Sequence, residues 1–263
     1  MKTIPMFHVD AFTNKIFSGN GAAVCILDEW LEQSTMRHIA AENNLSETAF
    51  IVKDGAAYHI RWFTPKIEIE LCGHATLATA HVLFKHLGYK EDSIVFKSKS
   101  GKLTVKRESE RLTMNFPARY PLLMDDIPAD LLDGLDVKPV AVYKDMNFLV
   151  LLENEQQLKK LRPRFRILSR IDYAGMICTA PSADPNYDFV SRYFAPYAGI
   201  NEDPVTGSVH TSLTKYWSAK LNKKELVARQ ISRRGGVIYC RDLGDRVEVG
   251  GQAVTFFEGK ISI

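Results

Sequence analysis

A chain of 263 residues is long enough for one large domain or two of medium size. Its content of 46% apolar and 25% charged residues excludes a disordered chain. A formal charge of +3, from 34 basic and 31 acidic residues spread evenly, excludes a nucleic-acid-binding surface. The start, Met1-Lys2-Thr3-Ile4-Pro5, lacks the apolar stretch of a secretory signal, and no apolar run approaches the roughly 20 residues that span a bilayer. The four cysteines, Cys25, Cys72, Cys178 and Cys240, form no Cys-x-x-Cys pair. Together these features predict a soluble cytoplasmic protein with free thiols and with neither nucleic acid nor membrane as partner.

In chain order, the first helical pattern runs from about Thr35 to Asn43, with Met36, Ile39 and Ala40 on one face. Asn43 and Asn44 suit its end, and a strand should follow through Ile51-Val52. Strand-like runs recur at Ile60–Phe63, Ile94–Phe96 and Leu103–Val105, and Leu112–Phe116 alternates apolar with polar residues. Between them a helix is predicted from Gly73-His74 to Leu87. It is apolar almost all round, through Ala75, Leu77, Ala78, Ala80, Val82, Leu83 and Phe84, which predicts burial on most sides. Pro117-Ala118-Arg119-Tyr120-Pro121 suits a junction. Beyond it Phe148–Leu152 and Ile177–Ala180 read as buried strands.

Arg61-Trp62-Phe63-Thr64-Pro65 is echoed by Arg192-Tyr193-Phe194-Ala195-Pro196. Each string precedes a glycine that should open a helix, Gly73-His74-Ala75 in the first case and Gly207-Ser208-Val209 in the second. Their spacing is too long for a solenoid and right for two copies of a domain. Short strands about a nearly all-apolar helix predict two halves, each a curved sheet wrapped on a central helix, with a ligand site between them. A glycine lets the backbone approach a ligand, and the free N–H groups of a first helical turn favour an anion, so both helix starts are candidates to hold a small carboxylate.

Glu47, in Asn44-Leu45-Ser46-Glu47-Thr48, stands at a helix-to-strand corner among small and apolar neighbours. A carboxyl there is a candidate for a raised pKa and for general acid–base work, set against the plain reading of a solvated glutamate. Asp203, in Glu202-Asp203-Pro204-Val205-Thr206-Gly207-Ser208, is either a site carboxylate or a turn residue before a helix. Gly19-Asn20-Gly21 lacks the third glycine of a dinucleotide fingerprint. There is no Walker loop, no His-Glu-x-x-His zinc motif and no Gly-x-Ser-x-Gly, so no cofactor and no metal are predicted.

The segments Asn44–Thr48, Leu71-Cys72-Gly73-His74-Ala75-Thr76 and Glu202–Ser208 resemble signature segments of the PhzF-like phenazine-biosynthesis family. Asp10–Thr13 with Gly19–Val24, and Val254–Gly259, fit it too, in order across nearly the whole chain. The resemblance implies an α+β fold of diaminopimelate-epimerase type, with two pseudo-symmetric halves. Residues 1–117 would form the first, rejoined by the last strand near 254–263, and residues 118–253 the second. It further implies a homodimer and a cofactor-free isomerase of a small, cyclic carboxylic acid, of the trans-2,3-dihydro-3-hydroxyanthranilate type. Under it Glu47 is the proton-transferring base, with His74 and Asp203 as catalytic partners. Ser46, Gly73, Gly207 and Ser208 bind the carboxylate substrate. Two departures stand out. Gly21 takes the place of a more usual proline, and Cys72 that of a small non-thiol residue. Two alternatives stay open: an epimerase or racemase using Cys72 with Asp203, and a ligand-binding protein without chemistry.

Overall fold

The computed structural model describes residues 2–263. The chain falls into two compact units, one of Met1–Asn115 with Gly250–Ile263, the other of Phe116–Val249. No helix among the described residues is long and apolar enough to cross a membrane.

The first unit holds β1 (Thr3–Ala11), β2 (Asn20–Leu27), α1 (Gln33–Asn43), β3 (Glu47–Asp54), β4 (Ala57–Phe63), β5 (Glu68–Ile69), α2 (Gly73–Lys85), β6 (Ser93–Ser98), β7 (Gly101–Glu108) and β8 (Arg111–Pro117). β1 and β2 are antiparallel, and β2 runs parallel to β3 across α1. β3 and β4 are antiparallel, β4 runs parallel to β6 across α2, and β6, β7 and β8 form an antiparallel meander.

The second unit holds β9 (Leu122–Leu123), α3 (Ala129–Leu135), β10 (Ala141–Lys144), β11 (Phe148–Leu151), α4 (Glu155–Lys160), α5 (Phe165–Leu168), β12 (Met176–Pro181), β13 (Phe189–Ala195), β14 (Ile200–Asp203), α6 (His210–Leu221), β15 (Glu225–Gln230), β16 (Gly236–Asp242) and β17 (Arg246–Gly251). Its pairing repeats the first unit's. β10 and β11 are antiparallel, β11 runs parallel to β12, β12 and β13 are antiparallel, and β13 runs parallel to β15 across α6. The last strand, β18 (Ala253–Ser262), lies antiparallel to β1, where β9 lies against β10 in the second unit. The two halves are pseudo-symmetric.

α2 is the centre of the first unit. His74 to Leu83 are all buried, against β1, β2, β3, β7 and β18. Leu77, Val82 and Leu83 each contribute about 1.5–3 kcal/mol by leaving water. The Thr255 hydroxyl joins β18 to the helix through His81 Nε2 at 3.0 Å and His86 Nε2 at 2.7 Å. α2 stops at Lys85, not at Leu87. Gly88, at φ +63°, reverses the chain there, and the Tyr89 N–H returns to the Leu83 carbonyl. α1 starts at Gln33, two residues before Thr35. It buries Met36, Ile39 and Ala40 and ends on Asn44 in the left-handed region, at φ 47°.

The α6 start departs from the sequence reading. Gly207, Ser208 and Val209 form a turn whose carbonyls accept from His210, Thr211 and Ser212, three residues on, and the helix proper begins at His210. The tighter winding of this entry delays the regular helical pattern by three residues.

The duplicated strings carry a duplicated clamp. Arg61 Nε and Nη2 donate to the Glu68 carboxylate at 2.8 and 2.9 Å, and Arg192 does the same to Glu202 at 2.7 and 3.0 Å. Each pair ties a strand to the short strand after it, β4 to β5 and β13 to β14. Residues two apart share a face of a strand, so each guanidinium also lies over its own phenylalanine, Phe63 at 5.3 Å and Phe194 at 4.9 Å. The Arg61 guanidinium holds the Glu68 carboxyl down at about 2, against the effect of burial and with help from Lys99.

The copies differ in what remains when the arginine is removed. Glu68 keeps Lys99 at 2.8 Å, whereas Arg192 also serves the carbonyls of Leu158 and Leu161, both at 3.1 Å. Arg192→Ala should therefore cost about 3 kcal/mol, the scale of a buried pair losing one partner. Arg61→Ala should cost clearly less. Urea unfolding of both variants checks this, and equal losses would contradict the account.

Candidate active site

Glu47 is the first residue of β3, opposite Ala22 of β2, and only 8% of its surface is exposed. The αL cap at Asn44 turns the chain from α1 into that strand within three residues. Cys72, 6% exposed, caps the start of α2 with an extended backbone, and its carbonyl accepts from the Thr76 N–H and hydroxyl. His74 follows in the first turn, 7% exposed.

These three side chains meet. His74 Nε2 lies 3.0 Å from Glu47 Oε2, and His74 Nδ1 lies 3.5 Å from Cys72 Sγ. Their ligand atoms all fall within 4.8 Å of one another. The Nε2–Oε2 contact is close but out of line for a hydrogen bond, so two buried polar atoms face each other without a directed partner. Burial opposes charge on His74, but the Cys72 sulfur and the Glu47 carboxylate outweigh it and hold the imidazole pKa well above its ordinary value. The Cys72 thiol is pushed up, first by burial and then by the Glu47 charge, with His74 opposing.

Asn20 is the residue that sequence reasoning missed. It is fully buried at the start of β2, with its Nδ2 3.4 Å from His74 Nδ1 and its Oδ1 accepting from the Ser46 hydroxyl at 3.3 Å. Ser46 thus reaches the site through Asn20. The available signal was Gly19 beside it. At φ +68° any Cβ on Gly19 would stand 2.2 Å from the Ala11 carbonyl, so glycine is required to bring Asn20 in. Gly73 is different. A Cβ there would meet only Met114 Cε, at 3.9 Å, so the packing of the chain does not itself demand glycine.

Asp203, Gly207 and Ser208 lie in the second unit. Asp203 ends β14 opposite Tyr193 of β13, and the Thr206 hydroxyl donates to its Oδ2. The fully buried Gln230 staples this turn. Its Nε2 donates to the Asp203 carbonyl at 2.9 Å, and its Oε1 accepts from the Thr206 N–H at 2.9 Å. Gly207 is buried and Ser208 exposed. Burial, with Asp203 and Asp145 nearby, pushes the Tyr193 phenol up to about 12.

The turn closes on His210, whose Nδ1–H donates to the Thr206 carbonyl at 2.8 Å. Burial pushes this imidazole down from 6.5 to about 4, with the Thr206 bond opposing. Folding thus favours the neutral ring, and unfolding takes up a proton between those two values. Its contribution to stability is complete above about 6.5 and falls as pH drops from 6.5 toward 4. His210→Asn should flatten that part of the pH–stability curve measured by urea unfolding. An unchanged slope would show that His210 does not cause it.

Known proteins are similar along the whole chain. The phenazine biosynthesis-like protein family (PhzC-PhzF) matches residues 9–259. An uncharacterized isomerase of Pseudomonas aeruginosa is 49% identical over 98% of each chain, and one of Halalkalibacterium halodurans is 46% identical over 99% of each. The crystal structure of a PhzF-family phenazine biosynthesis protein from Enterococcus faecalis superposes with a TM-score of 0.96 at 42% identity, covering both chains fully.

Proposed function

The chain belongs to the phenazine biosynthesis-like family, and on that premise we propose that it is an isomerase of a small carboxylic acid in which Glu47 carries the proton. The observation that supports this most is the buried Glu47 carboxylate 3.0 Å from His74, with one oxygen left without a directed partner. In this reading Glu47 takes a proton from an acidic C–H of the bound substrate and returns it to another carbon. The step is redox-neutral and balances with that single proton. His74, whose imidazole pKa is raised by its neighbours, stands 3.0 Å from the carboxylate that carries the proton. Asn20, whose Oδ1 accepts from the Ser46 hydroxyl, places its amide nitrogen 3.4 Å from Nδ1 of the same ring.

Cys72 is the poorer candidate for the base, because burial pushes its thiol toward the neutral form and leaves little thiolate. Gly73 leaves room beside the helix start for the backbone to approach a ligand. Asp203, Gly207 and Ser208 are assigned to substrate binding by the family resemblance. A cyclic carboxylate of the dihydro-hydroxyanthranilate type is the finer substrate proposal, because a ring offers two carbons to a single base.

Wild type and Glu47→Gln, incubated in heavy water with small cyclic and acyclic carboxylates, test the proposal by mass spectrometry. The variant keeps the shape of the side chain and loses the base. Turnover should fall by roughly 10²–10⁴-fold, the usual scale for a general acid–base group. Full turnover by Glu47→Gln on a substrate isomerised by the wild type would end this reading.

A further inference from the structure

The two helix starts are approached in the same way. The chain passes from β5 toward α2 through Glu70-Leu71-Cys72 and from β14 toward α6 through Pro204-Val205-Thr206, ahead of Gly73 and Gly207. A serine from a distant turn grips each approach. The Ser100 hydroxyl, between β6 and β7, donates to the Glu70 carbonyl at 2.7 Å. The Ser232 hydroxyl, between β15 and β16, donates to the Pro204 carbonyl at 2.6 Å.

These bonds are copies of one another. β4 pairs with β6 through His59 and Lys97, and β13 with β15 through Val190 and Arg229. Aligning Arg61 with Arg192 puts His59 on Val190, hence Lys97 on Arg229 and Ser100 on Ser232. The acceptors match as well, since Glu70 and Pro204 each stand three residues before the glycine of the helix start. The neighbours differ. Lys99 reaches Glu68 in the first unit, whereas Gln230 staples Asp203 and Thr206 in the second. A serine in a turn ordinarily bonds within that turn, as Ser98 does with the Gly101 carbonyl. Ser100 and Ser232 instead reach 30 and 28 residues along the chain.

In the first unit this bond acts on the candidate active site. The chain leaves β5 after Ile69, and Glu70 and Leu71 are exposed. Cys72 follows two residues after the tied carbonyl and His74 four, so a shift at Glu70 is passed to both. Catalytic side chains work only when held to within about 0.5 Å by the groups that support them. Ser100 is itself exposed, and its reach to these side chains is through the backbone.

We propose that Ser100 is a positioning residue of the candidate active site, which sets where Cys72 and His74 stand against Glu47 by holding the Glu70 carbonyl. Its hold on the start of α2 stands apart from the proposed isomerase, and only its effect on turnover rests on that reading.

The test compares the full chain with its Ser100→Ala and Ser100→Thr variants. Ser169→Ala, which removes an exposed hydroxyl bond of the other unit, is the control. Iodoacetamide alkylation of each cysteine is followed by peptide mass spectrometry, and turnover is measured on the dihydro-hydroxyanthranilate probe. In Ser100→Ala, Cys72 should be alkylated about 3- to 10-fold faster, the scale of one lost hydrogen bond, while Cys25, Cys178 and Cys240 keep their rates. kcat should fall by a similar factor with KM little changed, because Ser100 holds the reacting groups and not the substrate. Ser100→Thr, which keeps the hydroxyl, and Ser169→Ala should both match the wild type. Cys72 alkylation at the wild-type rate overturns the positioning role. Faster alkylation of all four cysteines together also overturns it, because that is a general loss of stability. Turnover that falls in Glu47→Gln but not in Ser100→Ala overturns the effect on catalysis. Turnover that ignores Glu47→Gln ends the isomerase reading, and the alkylation rates then decide the hold on α2 by themselves.

Discussion

The burial of ten consecutive residues of α2, from His74 to Leu83, is the constraint on which the first unit depends. A helix covered on nearly every side has no freedom to roll or slide without opening voids, and protein interiors are packed too densely to permit that. Its start is therefore fixed relative to β2 and β3, the strands it packs against. Those same strands begin with Asn20 and Glu47. The site is the place where a helix start and two parallel strand starts converge, and the core behind it pays the cost of keeping polar groups there.

The two units share a scaffold and differ where chemistry is possible. Both have the strand–helix–parallel-strand crossover, and both have an arginine–glutamate clamp next to a phenylalanine face. Arginine suits this clamp because its planar fork meets both carboxylate oxygens at once, which a lysine cannot do. At the helix start the copies diverge. The first unit presents Cys72, His74 and Glu47 at the beginning of α2. The second presents Asp203 and Thr206, stapled by Gln230, and enters α6 through a tight turn. A duplicated frame gives stability to both copies, and the freedom to diverge falls on the residues that the frame leaves unused.

Much of this frame was legible in the sequence because it rests on local signals. The near-continuous apolar pattern from Ala75 to Phe84 announced a buried helix, and the repeated Arg-aromatic-Phe strings announced the duplication. Asn44 was readable as a helix end because an αL cap favours that residue type. The clamp partners were not legible. Glu68 and Glu202 stand at different distances after their arginines, and nothing local says which carboxylate a guanidinium will find. Asn20 was hidden for a related reason, since its link to His74 joins strands and helices far apart in the chain. The α6 entry was misread because Gly207 marks a turn as well as it marks a helix start. Only the three-residue hydrogen bonds of the backbone distinguish the two.

Glu47 and His74 are a buried ion pair in a peculiar arrangement. A pair meant only for stability would place its hydrogen bond in line, because the cost of removing two charges from water is recovered only with good geometry. Here the atoms approach to 3.0 Å while the bond direction is lost. The Cys72 sulfur and the Asn20 amide crowd the other side of the ring and hold it in that orientation. Two buried groups without a directed hydrogen bond to each other stand ready to interact with a reacting proton. That readiness, more than the identity of the carboxylate alone, separates Glu47 from the other buried glutamates, Glu155 and Glu248. Glu155 accepts from the Ala183 N–H and pairs with Lys159, and Glu248 accepts from Arg241. Both are fully engaged in holding the fold.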